Sequence, residues 1–76
     1  MRETINRRRL MLKEVMISAA RKHAEAEIEL HKANIEVYMS KVVGIGEHSD
    51  IIETIQKELD KMAMAHDRLE MLDKYF

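Results

Sequence analysis

Three polar side chains at helical spacing, together with one on the second half of the chain, are the residues best suited to chemistry. His23, Glu27 and His31 follow one another at intervals of four residues, which stacks them on one side of a helix. If the chain folds back near Gly44, His66 comes level with Glu27. Imidazole and carboxylate groups are ordinary ligands of zinc and iron, and helical bundles build metal sites from inward Glu and His side chains.

The pattern also has a purely structural interpretation. Di-iron bundles use Glu-x-x-His pairs on two helices, and the sequence contains no such pair. A polar layer in which Glu27 hydrogen-bonds one or two histidines explains the same residues, and polar layers of this kind fix register and partner number. We therefore predict a polar layer without a metal or other cofactor, with His23, Glu27, His31 and His66 as the candidates should a metal bind.

No other set of residues indicates catalysis. The sequence shows no Ser–His–acid arrangement and no lysine pocket. The run Gly44-Ile45-Gly46 lacks the preceding strand and the third glycine or lysine of phosphate-binding loops. We expect a non-enzymatic protein.

The elements that must position these side chains are two long helices. The 76 residues include no proline and two glycines, Gly44 and Gly46, and the sequence on either side has helical periodicity. This predicts one helical-hairpin domain over residues 1–76, with a helix over about 3–43, a turn at 44–49 and a helix over about 50–75. Gly44 suits the left-handed end of the first helix, and Ser49 or Asp50 suits the N-cap of the second.

The first predicted helix carries two apolar stripes. The heptad stripe alternates steps of three and four residues, as in coiled coils, and comprises Ile5, Arg9, Leu12, Met16, Ala19, His23, Ala26, Leu30, Ala33 and Val37. The second stripe lies about 120° away round the helix and comprises Leu10, Ile17, Ala24, Ile28, Ile35, Tyr38 and Val42. Two stripes suit a helix with neighbours on two sides, and this favours a bundle of four or more helices.

The second predicted helix is shorter than the first. Its predicted contact row is Ile52, Ile55, Leu59, Met62, His66, Leu69, Leu72 or Asp73, and Phe76, widened by Ile51 and Ala65. If residues 43 and 50 flank the turn, Phe76 comes level with about Ile17. Residues 1–16 then extend past the second helix as an overhang that still holds apolar side chains, namely Ile5, Leu10, Met11, Leu12, Val15 and Met16.

The apolar surface exceeds what two helices can cover together. Apolar residues make up 46% of the chain, and each helix of a hairpin buries only the stripe that faces the other. A second copy of the chain is the simplest partner that can cover the remaining apolar surface. We therefore expect an all-α antiparallel hairpin that self-associates, as a homodimer, into a four-helix bundle. The expected interaction residues are Ile5, Leu10, Leu12, Val15, Met16, Arg7, Arg8 and Arg9.

The basic cluster at the N-terminal end allows a second kind of partner. Residues 1–13 carry Arg2, Arg7, Arg8, Arg9 and Lys13 against Glu3, whereas the second helix is acidic. The cluster can contact phosphates, but no aromatic residue lies near it for base stacking. It can equally pair with acidic residues of a neighbouring chain. An interaction protein is the main prediction, and a metal-binding bundle or a nucleic-acid accessory protein are the alternatives.

The sequence also indicates in which cellular compartment the protein is expected. It has no cysteine, which fits a reducing environment, and no apolar run approaches the roughly 20 residues of a membrane span. The N-terminal region lacks the features of a secretory signal. We expect a cytoplasmic protein that does not enter membranes.

Three segments carry a resemblance to a known group of proteins: HAEAEIELHKANIEVY, VGIGEHSDIIETIQKELDKMA and DRLEMLDKYF. Together they resemble small, uncharacterised helical proteins of marine T4-like phages and related environmental sequences. The resemblance covers most of the chain. It implies a small accessory protein in a viral or host-cytoplasmic setting, and it transfers no active-site residues.

Overall fold

The chain forms two helices packed side by side in an antiparallel hairpin, as the sequence predicted. The computed structural model describes residues 2–41 and 48–76, and it describes side chains for residues 7–41 and 50–76. Helix α1 spans Arg2–Lys41 and helix α2 spans His48–Tyr75. The molecule is a rod with extents of 69 × 17 × 13 Å. Its length is set by α1, because 40 residues at about 1.5 Å each span about 60 Å.

The helix ends differ slightly from the predicted ones. Helix α2 begins at His48, so Ser49 and Asp50 lie in its first turn instead of at the N-cap. The Asp50 carboxylate there suits the positive end of the helix dipole, and the Asp50 carbonyl accepts a 2.9 Å hydrogen bond from Thr54 Oγ1. Helix α1 ends at Lys41, and the predicted turn at Gly44 lies outside the described residues.

Helix α1 turns its second stripe toward α2. The α1 side chains that lose most solvent exposure recur at steps of three and four residues, which keeps them on one face of the helix. Ala24 is 2% exposed and Ile35 is 7% exposed. The remaining α1 residues on this face are half-buried: Ile17, Arg21, Ile28, His31 and Tyr38.

Helix α2 is rotated relative to its predicted contact row. Ala65 is fully buried, and Glu58 lies on the same row of the helix, seven residues earlier. The half-buried α2 side chains are Ile51, Thr54, Ile55, Glu58, Met62, Leu69 and Leu72. The prediction was therefore correct for Ile55, Met62, Leu69 and Leu72 and for the widening residues Ile51 and Ala65. It was wrong for the residues of the row that are exposed: Ile52, Leu59, His66, Phe76 and the alternative Asp73.

The rotation has a physical cause that apolar spacing alone does not show. Ala65 has almost no side chain, so it lets α2 approach α1 closely along this row. Glu58 is drawn toward α1 by hydrogen bonds to His31 and Asn34. Centring the contact on Ala65 and Glu58 leaves the larger Ile52 and Leu59 at its exposed margin.

The contact between the two helices is thin. Among the residues whose side chains are described, the buried apolar ones are Ala24, Ile35 and Ala65. Complete burial of a side chain such as isoleucine contributes about 1.5–3 kcal/mol, and only Ile35 of these three is that large. A single core in a chain of this size rarely supplies more than about 3–5 kcal/mol. The hairpin by itself therefore has little stability in reserve.

Helix α1 extends past the end of α2. Arg21 pairs with Asp73 near the C-terminal end of α2, and Ile17 is the first α1 residue with a described side chain that is half-buried and not exposed. Residues 7–16 are all exposed, and we call this described part the overhang. It includes five large apolar side chains without cover from α2, namely Leu10, Met11, Leu12, Val15 and Met16.

Candidate interaction surface and polar layer

A three-residue polar layer crosses the hairpin contact. The Nδ1 atom of His31 lies 2.6 Å from Oε2 of Glu58, and Asn34 Nδ2 donates a 3.1 Å hydrogen bond to the same oxygen. Because an ionised carboxylate only accepts hydrogen bonds, the imidazole must supply the proton in the first of these contacts. The side chains of His31 and Glu58 are 12% and 14% exposed, so both bonds are largely shielded from water.

The layer favours the ionised form of Glu58. The hydrogen bond from His31 and the second bond from Asn34 lower the pKa of the Glu58 carboxyl below its ordinary value of 4.5. Positive charge on His31 and Lys61 acts in the same direction, and desolvation opposes it. Glu58 is therefore a carboxylate acceptor at neutral pH, and hydrogen bonds to a charged group are the stronger kind.

Glu27 forms a second, more exposed polar cluster. Its Oε2 accepts a 3.0 Å hydrogen bond from Arg68 Nη1, and its Oε1 lies 2.8 Å from Nδ1 of His23. The Glu27 side chain is half-buried, whereas His23 and Arg68 are exposed. His66 was predicted to lie level with Glu27, and in the structure Arg68 contacts Glu27 instead.

The four metal candidates are not gathered around one point. The three histidines whose side chains are described contact three different carboxylates: His23 contacts Glu27, His31 contacts Glu58, and His66 contacts Glu70 at 3.8 Å. Within the described side chains, one group of three has ligand atoms all within 4.8 Å of one another, namely His66, Asp67 and Glu70. All three are exposed on one helix.

Sequence reasoning missed Glu58, although a signal for it existed. The pairing that sets His66 level with Glu27 also sets Glu58 level with Ile35, within one helical turn of His31 and Asn34. Glu58 was overlooked because it stood outside the apolar contact row. The signal is that this register places Glu58 beside two polar residues of α1, His31 and Asn34.

The heptad stripe of α1 remains uncovered. Every member with a described side chain is exposed, from Arg9 to Val37. Its large side chains keep half or more of their surface in water: Leu12 61%, Met16 63%, Leu30 55% and Val37 51%. Helix α2 occupies the second stripe, roughly a third of a turn away. The most regular apolar pattern in the sequence thus faces solvent.

A shallow groove between the helices continues this surface onto α2. It is lined by Ala20, His23, Ala24, Asp67, Arg68, Met71 and Leu72. His23 belongs to the heptad stripe, and Met71 is exposed on α2. A second groove is lined by Ile28 of α1 with Leu59, Met62, Ala63, His66 and Asp67 of α2.

The overhang joins apolar and basic side chains. Arg7, Arg8, Arg9 and Lys13 are all exposed on the same ten residues as the uncovered Leu12 and Met16. The predicted interaction residues Leu10, Leu12, Val15, Met16 and Arg7 to Arg9 all lie here, and the side chain of Ile5 lies outside the described residues. The arrangement offers apolar area with a basic border.

A comparison of the chain with protein-family models, with curated proteins and with solved structures finds no match. The resemblance to phage proteins therefore stays a prediction. Within residues 2–41 and 48–76, neither helix contains a stretch that is long and apolar enough to cross a bilayer.

Proposed function

We propose that the protein is a non-enzymatic interaction protein that acts as a homodimer, in which two hairpins form a four-helix bundle. The observation that carries this proposal is the exposed heptad stripe of α1. A regular coiled-coil pattern of this kind is typical of a helix that packs against another helix. Helix α2 does not provide that contact, and the stripe needs a further helix.

The size of the exposed apolar surface supports stable association with a partner. Leu12, Met16, Leu30 and Val37 are each between half and two-thirds exposed, so covering the rest of one such side chain recovers somewhat more than half of the about 1.5–3 kcal/mol that its complete burial contributes. A dimer covers these four on both copies. That gain is of the size needed against the association cost of about 4–15 kcal/mol. Covering the stripe also supplements the thin contact within each hairpin.

In this proposal the protein is a small adaptor or assembly factor that acts by binding partners through its surface. The absence of cysteine supports a reducing compartment such as the cytoplasm. If the resemblance to phage proteins holds, this is the cytoplasm of the infected host. In the bundle, the Glu58 layer and the Glu27 cluster specify how the helices align, a role known for polar groups in helical assemblies.

Sedimentation velocity over a range of protein concentrations tests the proposal. We expect a dimer that dissociates on dilution, with a melting temperature that rises with concentration. Leu30→Asp places a charge on the heptad stripe and should shift the protein to monomer. Met39→Asp makes the same kind of change at an exposed α1 residue off the stripe, and this control should remain dimeric. A well-folded wild-type monomer at all concentrations would refute the proposal.

The exposed cations of the overhang favour nucleic acid as a second candidate partner. Arg7, Arg8, Arg9 and Lys13 are free of cover from α2, and arginine is well suited to phosphate groups. Binding to DNA and RNA at two salt concentrations tests this candidate, because phosphate contacts weaken steeply with salt. The triple change Arg7→Ala, Arg8→Ala and Arg9→Ala should abolish such binding, and unchanged affinity would exclude this patch.

A further inference from the structure

We infer that the second copy binds antiparallel to α1, with the two-fold axis near Arg21, so that each overhang covers the glutamate-rich half of the other copy's α1. This inference rests on the proposed function, since it requires the heptad stripe to be the dimer contact. It adds which segment covers the overhang, namely residues 26–35 of the second α1.

The charges along α1 select the antiparallel direction. The overhang carries Arg7, Arg8, Arg9 and Lys13, whereas residues 25–36 carry Glu25, Glu27, Glu29 and Glu36 against Lys32. A parallel dimer would bring the two basic ends together, and like charges at close range oppose association. An antiparallel dimer places each basic end beside an acidic stretch instead.

The side chains of the stripe fit one another in this arrangement. With the axis near Arg21, Leu12 lies opposite Leu30 of the second copy, Met16 lies opposite Ala26, and Ala19 lies opposite His23. Large residues thus face small ones in two of these three layers, which lets the helices interdigitate. The stripe side chains of the overhang, Leu12 and Met16, and those of the opposite half, Ala26 and Leu30, cover one another.

The charged residues that border the stripe fix the register. On one border Arg8 lies opposite Glu36 of the second copy, and on the other Lys13 lies opposite Glu27. Each pair occurs twice by symmetry. The two Lys22 side chains lie opposite each other at the axis. Their mutual repulsion is one unfavourable contact against the four favourable pairs. A shift of one heptad in one direction would form the Lys22–Glu29 pair in place of these and would leave Arg9 opposite Ser40, outside the stripe. A shift in the other direction would pair Arg8 with Glu29 and would leave Leu30 opposite Ile5.

Disulfide cross-linking tests the direction and the register, because the chain has no cysteine of its own. Purified Leu12→Cys and Leu30→Cys proteins are mixed, oxidised and separated on a non-reducing gel. We expect the mixed disulfide to predominate over either homodimer. A predominant Leu12→Cys homodimer would indicate parallel helices, and efficient linkage of Leu12→Cys to Val37→Cys would indicate the shifted register. Either result would overturn the inference.

A charge exchange provides a second test that introduces no cysteine. Arg8→Glu should raise the dimer dissociation constant about tenfold at low salt, since two attractive pairs become repulsive. Combining Arg8→Glu with Glu36→Arg should return the constant to within about threefold of wild type. Arg7→Glu and Glu25→Lys make matched changes at positions that face away from the stripe, and they serve as controls.

The outcomes separate the two proposals. A monomer in sedimentation refutes the proposed function and the inference with it. A dimer that fails the cross-linking pattern, or whose Arg8→Glu variant is not rescued by Glu36→Arg, refutes the antiparallel register alone.

Discussion

His31 Nδ1 lies 2.6 Å from Glu58 Oε2 across the hairpin, in a contact whose other members are mostly apolar. Asn34 donates to the same oxygen at 3.1 Å, so one carboxylate of α2 ties together two side chains of α1 that lie one helical turn apart. An apolar stripe tolerates sliding of one helix along the other more readily than a hydrogen bond does. This layer therefore sets the axial register of the hairpin.

Glu58→Gln should lower the melting temperature measurably. Glutamine keeps the shape of the side chain, but it removes the negative charge that strengthens the bonds from His31 and Asn34. Thermal unfolding followed by circular dichroism at neutral pH provides the measurement. Glu53→Gln is the control, since Glu53 is exposed and its nearest cation, Lys57, lies 3.9 Å away. Equal melting temperatures for the two variants would show that the layer does not stabilise the fold.

The contribution of Glu58 should disappear in acid. Its pKa in the folded protein lies below the ordinary value of 4.5, so the stabilisation is fully present above that value and is lost as pH falls through the lowered folded pKa. Unfolding of wild type and Glu58→Gln from neutral to strongly acidic pH tests this. The difference between them should shrink toward zero at the acid end. A constant difference would contradict the assignment of the pKa shift to this layer.

Ala65→Leu should destabilise the hairpin by about 1–3 kcal/mol, because Ala65 is fully buried and a larger side chain forces the helices apart. Ala63→Leu adds the same atoms two residues away on the exposed side of α2, and it should change stability by no more than about 0.5 kcal/mol. Urea unfolding at one fixed protein concentration compares the free energies of unfolding of the two variants. Similar values for both would mean that Ala65 is not the point of close approach.

Glu27→Leu should leave stability nearly unchanged while broadening the range of oligomers. The variant loses the contacts of Glu27 to Arg68 and His23. Both partners have side chains at least half exposed, and ion pairs open to solvent contribute only about 0–1 kcal/mol. The added leucine extends the apolar surface beside the heptad stripe and removes a polar constraint on alignment. Sedimentation velocity and thermal unfolding report the two properties separately. A complete loss of folding would reveal a role for Glu27 beyond these contacts.

Zinc should not stabilise the protein appreciably. His23, His31 and His66 contact three different carboxylates, and a structural zinc site needs about four ligands at one point. Melting temperatures with and without added zinc, together with elemental analysis of protein purified without chelator, test this. A rise that is lost in His66→Ala would point to the exposed group of His66, Asp67 and Glu70.

Much of the fold followed from the positions of the glycines and the spacing of the apolar residues. Both glycines fall in one short segment, and helical periodicity on either side predicted the hairpin and the α1 overhang. Cross-chain partners were harder to predict. His66 was predicted to lie level with Glu27, yet Arg68 contacts Glu27, because a residue's level along a helix does not specify its direction around the helix axis.

The sequence by itself determined two helices, their unequal lengths and the presence of two apolar stripes on α1, since these depend on local periodicity and on where the backbone can turn. Only the tertiary structure decided which stripe faces α2. That choice depends on close approach at Ala24 and Ala65 and on the pairing of Glu58 with His31 and Asn34, which are contacts between residues far apart in the chain. The same choice leaves the heptad stripe facing water.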